Sequence, residues 1–287
     1  MHKKKTYLFA LLPFFLIVFL FEILPIVMLL FRSVMPEGEF GFTLKHYSDV
    51  FSKKLYQMAI ANSIIVSVVS SLIGIIVGFF GANAMQNTSR KNSVLFTNLL
   101  NMTSNFSGIP LAFAFIIMLG NVGVFVVIGK HFGWESLARF NVYSLTGLLL
   151  CYVYFQIPLA TLLLLPAFEG LKTEWRESVE LLGGGAMSYW LRVGLPNLFP
   201  SLLGTFSVLF ANAVAAYATA YALMQSGFSL LPIRIAEQFV GDVVQRKEFG
   251  SALSVVLMFL IILAVLVNQF ILKINRRGLN DEKADVL

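Results

Sequence analysis

Six stretches of this chain are each long and apolar enough to cross a lipid bilayer, and no other feature limits its fold as tightly. A hydrocarbon layer of about 30 Å takes about 20 helical residues at 1.5 Å each. Residues 7–31, 57–85, 94–119, 142–166, 200–224 and 250–272 satisfy that length. Composition agrees, because 58% of the 287 residues are hydrophobic and only 13% are charged, about half the charge a soluble domain carries. Such a balance excludes disorder, a nucleic-acid-binding domain and an ordinary cytosolic enzyme. The sequence predicts an all-α membrane protein with six transmembrane helices in one domain, 1–287.

An even number of crossings puts both termini on one side. Lys3, Lys4 and Lys5 precede the first span, and Lys273, Arg276 and Arg277 follow the last, which places that side in the cytoplasm. The net charge of +6 then reads as inward-facing basic residues, with no nucleic acid implied. On this orientation 12 basic residues lie inside and 9 outside, and seven acids dilute the outer set. The first stretch is too long for a secretory signal and ends without a small-residue cleavage pattern, so it is expected to stay as an anchor. Residues 122–129 are too few to span, and they predict a short outer or re-entrant helix. A lone cysteine, Cys151, excludes an internal disulfide and a cysteine metal cluster, and His2, His46 and His131 are scattered.

The longest inner loop, 167–199, is amphipathic as well as polar. Trp175, Val179 and Leu182 recur at helical spacing among Glu174, Arg176, Glu177 and Glu180. Gly183, Gly184 and Gly185 interrupt this helix, and a second short one resumes over 186–193 before Leu195-Pro196. The glycine triplet lacks the lysine and preceding strand of a phosphate loop, so it marks a turn. No nucleotide-cradling motif occurs in the sequence.

These residues resemble the cytoplasmic signature of the membrane subunits of binding-protein-dependent ABC importers of the type I fold. That signature runs Glu-Ala-Ala, three residues, Gly, nine residues, Ile-x-Leu-Pro. Glu177 takes the acidic position, Gly183 follows at the expected interval, Val193 replaces Ile, and Leu195-Pro196 close the motif; Ser178 and Val179 replace the alanines. The segment 105–115 further resembles the subgroup serving polyamines, ferric iron, phosphonates and similar small charged solutes. The resemblance implies a multi-pass permease of the bacterial inner membrane with no catalysis or cofactor of its own. ATP and Mg would be bound by two cytoplasmic ATPase subunits that dock on the 167–199 loop. Other implied partners are a second permease, a paralogue or a copy, and an extracytoplasmic solute-binding protein. The coupling residues would be Glu177, Ser178, Val179, Gly183, Trp190, Val193, Leu195 and Pro196, with Leu181, Leu182, Met187, Tyr189 and Trp190 as an apolar ridge.

Polar residues at membrane depth are costly and point first to function. Glu22 is the only carboxylate within a span, and either pairs with a neighbouring helix or faces a cationic solute. Asn101, Thr103, Ser104, Asn105 and Ser107 form a polar patch before Gly108 and Pro110, where a helix can unwind beside water. Gln156, Asn212, Tyr217 and Tyr221 are further candidates for the same path. Small residues recur every fourth position at Ser70, Gly74, Gly78 and Ala82, and again at Ser207, Ala211, Ala215 and Thr219, a pattern for close helix packing. An ion-coupled transporter or channel is the competing class, but one outer carboxylate is a thin supply of ion-site ligands. An intramembrane hydrolase needs a paired acid, Ser/His or His-Glu-x-x-His arrangement that is absent from the sequence.

Overall fold

The computed structural model describes residues 11–38, 41–86, 88–240 and 245–284, with side chains undefined at 226 and 275–284. Among the described residues every regular element is helical. In chain order these are α1 (Leu11–Ser33), α2 (Lys45–Ser52), α3 (Lys54–Gln86), α4 (Arg90–Asn105), α5 (Ile109–Leu119), α6 (Val124–Phe132), α7 (Glu135–Ala138), α8 (Leu145–Glu169) and α9 (Thr173–Leu181). They continue as α10 (Ala186–Val214), α11 (Tyr217–Met224), α12 (Leu231–Val240) and α13 (Lys247–Ala284). Six stretches have the length and apolarity to span: α1, α3, Ile109–Phe132, α8, α10 and Lys247–Ile274.

The small-residue stripe of α3 decides the centre of the bundle. Ser70, Gly74, Gly78 and Ala82 are all buried, and they face α8. A β-carbon on Gly78 would lie 2.7 Å from that of Ala160, and one on Gly74 would lie 3.0 Å from that of Gln156. Backbones therefore touch where apolar burial alone gives no preference for protein over lipid. The α3 stripe is thus an intramolecular seam. The stripe expected on the fifth span is interrupted, because Ala215 lies in a break between α10 and α11 and is exposed.

Prolines account for two further irregularities. Pro25 and Pro196 lack the N–H that would reach back one turn, and each stands two residues after a π-turn, at Phe19–Ile23 and Trp190–Gly194. Leu24 and Leu195 donate instead to the carbonyls of Phe19 and Trp190, five residues back.

Two expected spans need correction. The third, expected over 94–119, is divided at 106–108: α4 takes its first half, and α5 continues into α6 through a turn at 120–123. Residues expected to form a separate short helix at 122–129 are that α6, held against α7 where Gly129 would clash with the Ala138 nitrogen. The fifth span begins earlier than expected, at Ala186 instead of Pro200, so the second loop helix and the span are one rod. At the periphery, the most apolar window of α1 is 0% buried and that of α13 is 11% buried, whereas α8 reaches 50%.

Candidate functional site: the cytoplasmic elbow and the broken helices

Two features stand apart from packing alone. The first is the elbow between α9 and α10. The α9 helix ends in a Schellman turn: Gly183 N–H donates to Glu180 O at 3.0 Å, and Gly184 N–H donates to Val179 O at 2.8 Å. Gly183 holds φ +79°, with no atom within 4 Å of where a β-carbon would stand. Its requirement for glycine is therefore conformational. Gly184 is constrained by space, since its β-carbon would lie 2.7 Å from Val179 Cγ1. Ser178 Oγ donates to Glu174 O at 2.7 Å, and Arg176 pairs with Glu180 at 3.2 Å.

At the tip of this elbow Leu181 and Leu182 are each 88% exposed and Met187 is 72% exposed. Three large apolar side chains thus project from this end of the bundle. Glu177 and Ser178 are exposed beside them, Val179 and Val193 are half-buried, and Leu195 and Pro196 are exposed at the π-turn. The other two members of the expected ridge turn inward. Tyr189 is buried, and Trp190 packs against Phe79 at 5.4 Å and Phe168 at 6.2 Å between ring centroids. Gly194 makes room for the Trp190 ring, whose Cε3 is 2.5 Å from the missing β-carbon. Ala82, Leu164, Phe168, Leu171 and Leu198 form the buried cluster against which Trp175 and Trp190 pack. Trp190 thus joins the base of the elbow to α3 and α8 through aromatic rings.

The second feature is a pair of helix breaks that meet. The α4–α5 break places Gly108 at φ +73°, and its N–H donates to Thr219 Oγ1 at 2.9 Å. At the α10–α11 break, Ala216 is the N-cap of α11, and the Tyr152 hydroxyl on α8 donates to its carbonyl at 2.7 Å. Each break is thus tied by a hydrogen bond to a side chain of another helix, which at Gly108 satisfies an N–H that no helical carbonyl accepts. One turn further along α8, buried Gln156 donates from Nε2 to Leu209 O at 2.8 Å and to Ser71 Oγ at 3.2 Å. Gln156 is thereby sealed among α3, α8 and α10, away from any open path. Asn101, Asn105, Asn212 and Tyr217 are exposed around the breaks, and Tyr217 and Tyr221 stack with centroids 5.3 Å apart. Glu22 lies exposed in the α1 π-turn, with no ion-pair or hydrogen-bond partner among the described residues. The packing role of Gln156 and Tyr152 was hidden in the sequence, because only their contacts separate a sealed amide from a pore-lining one.

At the end of α3 away from the elbow, α2 and the Arg246 segment form a charged cluster. Arg246 pairs with Glu37 at 2.6 Å and lies over the Phe249 ring at 4.7 Å. The hydrogen bond from Lys53 holds the Asp49 carboxyl below its ordinary value of 3.8. Among the described residues no cluster of His, Cys, Asp or Glu has the makings of a metal site.

No protein-family model matches the chain. It is 27% identical over 154 residues to the thiamine transport system permease protein ThiP of Escherichia coli (strain K12), a match covering 54% of this chain and 28% of that protein. It is 23% identical over 226 residues to the inner membrane ABC transporter permease protein YcjP of the same organism, covering 76% and 75% of the two chains. Among solved structures, a chain of the bacterial alginate ABC transporter in complex with alginate pentasaccharide-bound periplasmic protein superposes with a TM-score of 0.74 at 16% identity, over 93% of each chain. The chain is thus similar in sequence to permease proteins of ABC transporters and shares the fold of an ABC importer's membrane subunit.

Proposed function

We propose that this chain is one permease of an ATP-driven importer, and that its α9–α10 elbow takes up the stroke of a separate cytoplasmic ATPase. The observation that carries the reading is the exposure of Leu181, Leu182 and Met187 on a turn rigidly joined to the bundle. An apolar ridge of this kind is the anchor a partner groove needs, and Glu177 and Arg192 beside it supply charge for register. Glu177, Ser178, Val179, Gly183, Val193, Leu195 and Pro196 form or brace the docking face, and Trp190 acts behind it as the transmitting residue. Two ATPases, a second permease on the lipid-exposed faces, an extracytoplasmic binding protein and a bacterial inner-membrane location complete the proposal. ATP and Mg belong to the ATPases, and this chain contributes no catalytic group.

The solute path runs past the paired breaks, with Asn101, Asn105, Asn212 and Tyr217 as lining and Glu22 at the outer side. A small charged solute such as a polyamine, a phosphonate or ferric iron is the class suggested by residues 105–115. The thiamine and the acidic polysaccharide alginate named for two similar proteins widen this to polar solutes of very different size.

The test is uptake by the assembled transporter in proteoliposomes. Glu177→Lys, or Gly183→Leu, is expected to leave the chain inserted while solute uptake falls at least tenfold, and ATP hydrolysis to lose its dependence on solute-loaded binding protein. An elbow strained by about 1–2 kcal/mol accounts for the loss in the glycine variant. Normal uptake with either variant, at normal ATPase association, refutes the reading.

A further inference from the structure

A polar cavity of about 220 Å³ lies at the root of the elbow, and Leu181, Leu182 and Met187 of the exposed ridge are not in its lining. It opens where α3 and α8 leave the membrane, and its polar lining is Asn83, Gln86, Lys172, Thr173, Arg176 and Tyr189. Two cations, two amides and two hydroxyls converge there with no carboxylate in the lining. Among the described residues the Lys172 ammonium has no acceptor. Arg176 uses only Nε for Glu180, which leaves both Nη groups available. The nine-residue α9 begins at Thr173 without a side-chain cap, adding the positive end of its dipole and free N–H groups.

Tyr189 supplies an independent observation. It is only 8% exposed, yet its hydroxyl has no hydrogen-bond partner among the described residues. Tyr189 borders the cavity, where its hydroxyl is a donor for a bound acceptor. The matching ligand is an acceptor-rich anion with several oxygens, and the Arg176 fork favours phosphate geometry. The cavity stands at the inner ends of two spans, with Trp190 at its edge, which is the depth of the inner-leaflet headgroups. We propose that it binds a phosphate group, supplied either by an anionic phospholipid or by soluble phosphate, and so ties the coupling elbow to the membrane surface.

The test is binding by the full chain in detergent, without ATPase or transport, so its outcome is separable from that of the importer reading. Native mass spectrometry would compare retention of phosphatidylglycerol with that of diacylglycerol of matched chains, and ³¹P NMR would follow inorganic phosphate alone. We expect selective retention of at least one phosphate probe, reduced about tenfold or more in the Lys172→Gln/Arg176→Gln double variant. Tyr189→Phe should weaken binding by less, and Lys172→Arg should preserve it. Both charged residues are exposed, so the neutral variants are expected to keep the wild-type circular dichroism spectrum. Retention of phosphatidylglycerol alone identifies a lipid source, and a response to inorganic phosphate alone identifies a soluble one. If neither probe separates wild type from the double variant, the proposal is wrong.

Discussion

Gly78 and Gly204 are both glycines inside long helices, yet their surroundings give them opposite meanings. A β-carbon at Gly78 meets Ala160 Cβ at 2.7 Å and Thr161 N at 2.9 Å, and the second of these is backbone that cannot step aside. At Gly204 nothing lies within 4 Å. Gly78→Val is expected to destabilise the bundle by about 1–3 kcal/mol through overpacking, whereas Gly204→Ala should leave stability unchanged or slightly raised. Denaturation midpoints in mixed micelles check the pair, and equal effects would refute the α3–α8 seam. Gly183 is a third case, where open space surrounds a φ of +79° and the backbone alone demands glycine. The sequence signals that something close-packed lies along Ser70, Gly74, Gly78 and Ala82, but not which helix is there.

Among the elements, the two interrupted helices define the interior of the bundle. The sequence marks the first break, since Gly108 and Pro110 follow a polar run in an otherwise apolar span. It gives no comparable sign at Ala215 and Ala216, two residues that suit a helix. That break is chosen by tertiary contacts: Tyr152 holds the Ala216 carbonyl, and Thr219 holds the Gly108 N–H. Tyr152→Phe keeps the ring, which is 3% exposed, and removes only the donor. It is expected to cost about 0.6–1.7 kcal/mol, the range for hydrogen bonds between membrane helices. A denaturation midpoint identical to wild type would mean that the Ala216 carbonyl does not need this partner. The elbow follows similar logic, because loop periodicity predicts two short helices while the structure fuses the second into the α10 rod. Leu181, Leu182 and Met187 remain exposed there, and Tyr189 and Trp190 are drawn inward by Phe79 and Phe168.

At the scale of the whole molecule, burial is uneven. The α3, α8 and α10 helices hold the core, whereas the α1 window is 0% buried and the α13 window 11% buried. Within this chain α1 is an outer stave resting on α13, and deleting residues 1–33 should leave the α3–α8–α10 core folded. Denaturation of that truncated chain, followed by Trp190 fluorescence against Phe79 and Phe168, should retain the wild-type midpoint. A collapsed midpoint would show that α1 supports the core after all. The apolar surface left on α1 and α13 suits a lipid surround.

Hydrophobic length determined the helical class and the number of crossings from sequence alone, because a bilayer imposes its thickness on any chain that crosses it. The Glu177-to-Pro196 spacing likewise located the elbow, since a left-handed turn selects glycine whatever surrounds it. Only the tertiary structure decided where helices break, which amide is sealed and which aromatic faces the core. A freed N–H, a stripe of small residues or a ring is satisfied by whichever helix arrives beside it, and that neighbour is set by packing between segments far apart in the chain.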